Sequence, residues 1–106
     1  MLFELRTYEC KPGKREAWVK MMEEEIIPFQ VSKGMVILGS FIAEQDDSTY
    51  VWIRRFVDEA ERELLYKAVY ESEHWRNDLS PRVGELLNRE TIKVTRLIPT
   101  PKSVIQ

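Results

Sequence analysis

Glu4, Arg6 and Tyr8 occupy alternate positions of the opening run LFELRTYE, and that spacing decides what they can do together. Successive side chains of a strand point to opposite faces, so a carboxylate, a guanidinium and a phenol line one side while Phe3, Leu5 and Thr7 line the other. Arg6 is the most constrained of the three. A guanidinium stays protonated at physiological pH, and on a mostly apolar face it must find an anion, either a carboxylate such as Glu4 or a bound molecule. His74, the only histidine, precedes Trp75 where the helical pattern fails. Imidazole titrates near neutrality, so His74 offers an acid, a base or a haem ligand, although Glu73 and Arg76 on its flanks suit a surface residue. Cys10 is the only cysteine, which excludes an internal disulfide and leaves an inert thiol at a strand end.

Other chemistry is missing. The consecutive carboxylates Glu23, Glu24 and Glu25 fan around a helix axis by about 100° each and do not converge, so they read as a solvated face. No group has metal-ligand spacing, and no metal site is expected. The phrase KPGK lacks the upstream glycine and the Ser or Thr of a phosphate-binding loop. No nucleotide, metal or flavin cofactor is therefore expected.

These residues need elements to position them. Lys11-Pro12-Gly13-Lys14 is a turn that ends the first strand. From Glu16, the spacing of Trp18, Met21, Met22, Ile26 and Phe29 marks a helical face. Pro28 predicts an end or kink near Ile27, with Lys33-Gly34 as the exit. Two runs within MVILGSFIAEQDDSTYVWIRRFV flank the polar turn Gln45-Asp46-Asp47-Ser48 and read as a β-hairpin. Asp58 and Glu61 have the form of a helix start, and Ala60, Leu64, Leu65, Ala68 and Val69 mark that helix's buried stripe. Ser80-Pro81 reads as a further N-cap and first turn, leading a short helix through Leu87. Glu90 to Ile98 is the last strand, and Pro99 and Pro101 turn residues 98–106 into an extended tail. The order is β-α-β-β-α-β with an extra helical segment, an α+β ferredoxin-like sheet of four antiparallel strands with helices on one face.

With 106 residues, one domain spanning residues 1–106 is expected. A 43% hydrophobic and 32% charged composition is that of a globular chain with a core. The net charge of −2 gives no basic field for nucleic acid. An RNA-recognition module shares the strand order, but TYVWIRRF lacks its glycine-aromatic signature. No apolar run reaches a membrane span and no signal peptide opens the chain, so a cytoplasmic location is expected, with no membrane partner. Alternation places Phe3, Leu5, Val51, Ile53, Ile92 and Val94 on one sheet face. The other carries Leu2, Tyr8, Tyr50, Trp52, Phe56 and Leu97, with Glu4, Arg6, Arg54 and Lys93. Both faces want cover and one chain's helices supply only one, so a homodimer is expected.

The succession Glu4-Leu5-Arg6-Thr7-Tyr8, Lys11-Pro12-Gly13-Lys14, Trp52 in the hairpin, Glu61-Arg62 early in the second helix and Trp75 after it resembles the NIPSNAP family over nearly the whole chain. The resemblance implies a dimeric α/β barrel, in a superfamily that includes cofactor-independent monooxygenases, haem-degrading enzymes and isomerases. It also implies a pocket between sheet and helices. There Glu4, Arg6, Tyr8, Trp52, Arg54 and Trp75 are the expected ligand-binding residues for a small anionic or aromatic metabolite. Arg6, Tyr8 and His74 are the catalytic candidates. The alternative is a non-enzymatic interaction module in which Glu4 pairs with Arg6 or Arg54 as a purely structural network.

Overall fold

The computed structural model describes residues 1–106. Its strands are β1 (Leu2–Glu9), β2 (Val36–Ile42), β3 (Thr49–Phe56) and β4 (Lys93–Leu97), in the antiparallel order β2-β3-β1-β4. This is the ferredoxin-like βαββαβ arrangement. The central pair is in register from Leu2 opposite Phe56 to Glu9 opposite Thr49. Burial along β3 alternates strictly: Tyr50, Trp52, Arg54 and Phe56 are buried and their neighbours are not. One face of the sheet is thus covered and the other is open, as the pleat requires.

The cover comes from α1 (Arg15–Met21), α2 (Ile27–Ser32), α3 (Glu59–Tyr70) and α4 (Ser80–Leu86). Gly13 and Gly34 take φ of +73° and +107°, the left-handed conformation that the turn before α1 and the exit from α2 demand. Asp58 caps α3 as expected, its Oδ1 accepting from the Glu61 amide at 2.9 Å, while Glu61 Oε1 accepts from the Val57 amide at 3.0 Å.

Pro28 does not stop its helix, and Ser80 does not cap one, although Pro81 lies in the first turn of α4 as expected. The chain does not end its helix near Ile27. A π-helical turn at Met22–Ile26 carries α1 into α2, and the Ile27 amide reaches back five residues to the Met22 carbonyl. The same device recurs at Trp75–Leu79, where the Ser80 amide bonds the Trp75 carbonyl before α4 begins. Ser80 is consequently helical and is no N-cap. Residues 73 and 74 are already helical, and the Ser72 hydroxyl accepts from the Trp75 amide at 3.2 Å. A proline ring collides with the carbonyl four residues earlier. For Pro28 and Pro81 those carbonyls belong to Glu24 and Asn77, the middle residues of the two wide turns. The added residue moves the carbonyl aside and lets the helix run through.

Two sequence expectations fail by rotation. In β4, Val94 pairs with Arg6, Lys93 with Thr7 and Leu97 with Phe3. Val94, with Ile92 by alternation, therefore joins the helix-covered face, and Lys93 and Leu97 lie on the open one, the reverse of the expected assignment. In α3 the buried stripe is Leu65 and Val69 flanked by Tyr66 and Tyr70, while Leu64 is 68% exposed and Ala60 and Ala68 face solvent. The tail turns back over the open face, where Arg55 Nη1 donates to the Gln106 carbonyl at 3.0 Å. Beneath the tail, Phe3 is 4% exposed.

Candidate functional site

The charged stripe of β1 divides into two environments. Glu4 and Arg54, opposite one another on β1 and β3, are fully buried and joined at 2.7 Å. Arg62 Nε donates to Glu4 Oε2 at 2.8 Å, and Tyr66 lies 2.7–2.8 Å from both carboxylate oxygens. Arg54 Nη1 donates to Gln30 Oε1 at 3.0 Å and to the Tyr70 hydroxyl at 2.7 Å. Its guanidinium also rests between the Trp52 and Phe56 rings, 4.8 and 5.7 Å from their centroids. Burial pushes the Glu4 carboxyl up, but Arg54, with the hydrogen bonds from Arg62 and Tyr66, more than reverses this and holds it below its usual range. Within this network only Arg54 Nε is buried without a partner. Glu4 and Arg54, two of the expected ligand-binding residues, do not line the cavity beside it.

Arg6 is different. Its side chain leaves the same sheet face one pleat further on, yet it pairs with no carboxylate. Nε donates to the Tyr8 hydroxyl at 2.7 Å and Nη1 to the Tyr66 hydroxyl at 3.3 Å. Both partners are neutral, since burial raises the Tyr8 phenol and raises that of Tyr66 to about 12. Arg54 and Arg62 thus share the Glu4 carboxylate, Arg62 also pairing with Glu59 at 3.1 Å, while Arg6 has no carboxylate. Arg6 also borders a cavity of about 160 Å³ between sheet and helices. Tyr8 and Trp52 form the sheet-side wall with it, and Trp18, Met22, Ile26, Trp75 and Val83 supply the helical side. Met22, Ile26 and Trp75 all come from the two π-helical turns. Their extra residue sets which side chains face the sheet.

Four expected site residues therefore meet at one place: Arg6, Tyr8, Trp52 and Trp75. His74 does not join them. Its side chain is 48% exposed, 3.7 Å from Asp78 and edge-on to Phe29. Cys10 is buried and its thiol is pushed up to about 11 by desolvation, a poor nucleophile. Arg89, which sequence reasoning missed, is exposed and borders the cavity from the turn before β4. Gln30, Arg62, Tyr66 and Tyr70 were missed too. Their one sequence-level signal is position, because Arg62, Tyr66 and Tyr70 recur at helical spacing on one face of α3. A larger, shallower groove lies along α1 beside Ile42, but its lining of Arg15, Glu16, Lys20, Glu23 and Glu24 is surface charge of both signs.

Comparison with known proteins fits this architecture. The NIPSNAP family model matches residues 3–103. A NIPSNAP family protein of unknown function from Agrobacterium tumefaciens superposes with a TM-score of 0.88 at 26% identity, covering 100% of this chain and 94% of that one. An uncharacterized NIPSNAP domain protein from Burkholderia xenovorans gives 0.84 at 20% identity over 97% and 98% of the two chains. An antibiotic biosynthesis monooxygenase gives 0.70 at 18% identity over 95% and 100%, a likeness of fold. No curated protein matches in sequence. No helix is long and apolar enough to cross a membrane. With its fold shared and the family pattern running across almost all of its length, the chain belongs to the NIPSNAP family.

Proposed function

We propose that this NIPSNAP-family chain binds a small metabolite in the cavity between sheet and helices, with Arg6, Tyr8, Trp52 and Trp75 as its contact residues. One observation carries the proposal: Arg6, a charged group on a packed sheet face, has no carboxylate partner and borders an apolar cavity. Burying an unpaired charge is costly, and a partner that arrives as a ligand removes the cost. The structural network expected as the alternative also has its place, at Glu4 and Arg54 rather than at Arg6. The two accounts divide the stripe between them.

Of the reactions that the family resemblance suggests, isomerisation by proton abstraction finds little support. No Asp, Glu, His or Cys lines the cavity, and Tyr8, its phenol raised by burial, is a proton donor rather than a base. Monooxygenase-like chemistry without a cofactor asks mainly for confinement of a reactive substrate, which the cavity offers. Mass spectrometry of small molecules released from natively purified protein tests binding. A recurrent stoichiometric metabolite, absent after Trp75→Asp removes the indole wall and adds a competing carboxylate, is the expected result, and an empty protein in every preparation refutes it.

The homodimer belongs to the same proposal. The open face carries Leu5, Val51 and Ile53, none of them fully buried, beside Phe41 at 54% and Leu97 at 41% exposure. This apolar sheet surface is suited to a second copy of itself.

A further inference from the structure

The walls of the cavity offer hydrogen-bond donors and almost no acceptors. Arg6 directs Nε to Tyr8 and Nη1 to Tyr66, and Nη2 donates to nothing in the protein. The Tyr8 oxygen accepts from Arg6 and its own proton has no protein acceptor. The indole N–H groups of Trp18 and Trp52 are buried without a partner, and both rings line the cavity. Buried donors are seldom left unpaired, and each one costs stability. The acceptors that do border the space are engaged: Gln30 Oε1 takes Arg54, and the Tyr70 hydroxyl takes both Arg54 and Gln30.

We infer that the ligand of this cavity is a planar monocarboxylate of about one aromatic ring, its carboxylate on Arg6 and Tyr8 and its ring against Trp52, Trp75 and the aliphatic helical wall. This rests on the binding proposal above and specifies its ligand. Charge selects an anion, because Arg6 has no carboxylate partner, and Glu4 on the same sheet face is already engaged by Arg54 and Arg62. Geometry selects a carboxylate, since Arg6 Nη2 and the Tyr8 hydroxyl proton offer one free donor to each of its two oxygens. Size sets the rest. A cavity of about 160 Å³ is close to the roughly 150 Å³ apolar cavities that take up benzene, a match to a single ring. Arg89 at the margin adds a positive charge that draws an anion inward.

The test uses benzoate and its neutral isostere benzamide as titrants in calorimetry. Benzoate should bind about tenfold or more tightly than benzamide, the difference made by one charge-assisted hydrogen bond. Arg6→Gln should erase that preference, and Tyr8→Phe, which keeps the ring and removes one donor, should weaken benzoate several-fold. Equal affinity for benzoate and benzamide in the wild type overturns the inference, as does a preference that survives in a folded Arg6→Gln. In either case the binding proposal stands, because the cavity still takes a ring. If neither titrant binds but neutral benzene raises the unfolding temperature, the carboxylate is again refuted and the cavity is not. No response to any of the three, in a protein that releases no metabolite, refutes the binding proposal itself.

Discussion

Glu4 and Arg54 face each other across β1 and β3 with their charged atoms 2.7 Å apart and no solvent at either side chain. Removing one partner of such a pair strands the other. Arg54→Met should therefore lower stability by about 3–5 kcal/mol, read from urea unfolding. The companion change Arg6→Gln should cost no more than about 1 kcal/mol, because the partners it gives up are neutral phenols. If the two variants lose similar amounts, the division of the stripe into a structural half and a ligand-facing half is wrong.

Acid should act through Glu4. Its carboxyl lies below its usual value of 4.5 in the folded chain, so the unfolded state takes up a proton first as pH falls. The stabilising contribution is fully present above the unfolded value and is lost as pH drops through the folded one. Urea midpoints measured from about pH 6 down to about pH 3 should fall steeply for the wild type and more shallowly for Glu4→Gln, with the gap between them closing at the acid end. Parallel curves would assign the acid response to other carboxylates.

The π-helical turn at Met22–Ile26 contains one residue more than an α-helix would place there. Deleting the exposed Glu24 should convert it to α-helix, bring Pro28 against a carbonyl and rotate Phe29 and Gln30 by about 100°. Gln30 would then leave Arg54. We expect a loss of about 3 kcal/mol or more together with loss of cavity ligands, whereas Glu24→Ala at the same site should be nearly silent. A deletion variant as stable as wild type would show that the turn is incidental.

Ile53→Asp puts a charge at the centre of the open face, opposite Leu5. It should leave the fold intact by circular dichroism and yield monomers in sedimentation at micromolar concentration, where the wild type should sediment as a dimer. Deleting residues 98–106 uncovers Phe3 and should weaken the same association. A wild type that sediments as a compact monomer removes the dimer from consideration.

What the sequence disclosed, and what it withheld, follows from the range of each interaction. The alternation of β1 and β3 and the Asp58 cap depend on residues a few positions apart, and which residues of the central strands share a face was legible from them. β4 was not, because Ile92, Val94 and Leu97 are all apolar and either face could accept them, so only pairing with β1 fixes the register. Leu64 misled for a similar reason. The groove beneath α3 is filled by Tyr66, Tyr70 and Arg62 reaching for Glu4 and Arg54, and hydroxyls and a guanidinium outcompete a leucine for that face. Glu4 meets Arg54, Arg62 and Tyr66 across 50 to 62 residues of sequence, a separation at which no spacing rule operates. Pro28 was read as an obstacle and Pro81 as a helix start, but a helix can also widen around a proline, as it does here where Met22, Ile26 and Leu79 pack into the core.

The two widened turns give the cavity an asymmetric capacity for change. Its sheet side is locked by ladder pairing and by the buried Glu4–Arg54 cluster, so a substitution there disturbs the whole frame. Its helical side is set by two single-residue insertions, each ahead of a proline that tolerates the wider turn. Losing or shifting one insertion would present a different set of side chains to the same Arg6, leaving the strands untouched. A lineage built on this frame can therefore reshape the cavity by small length changes in two helices, while Arg6 stays in place.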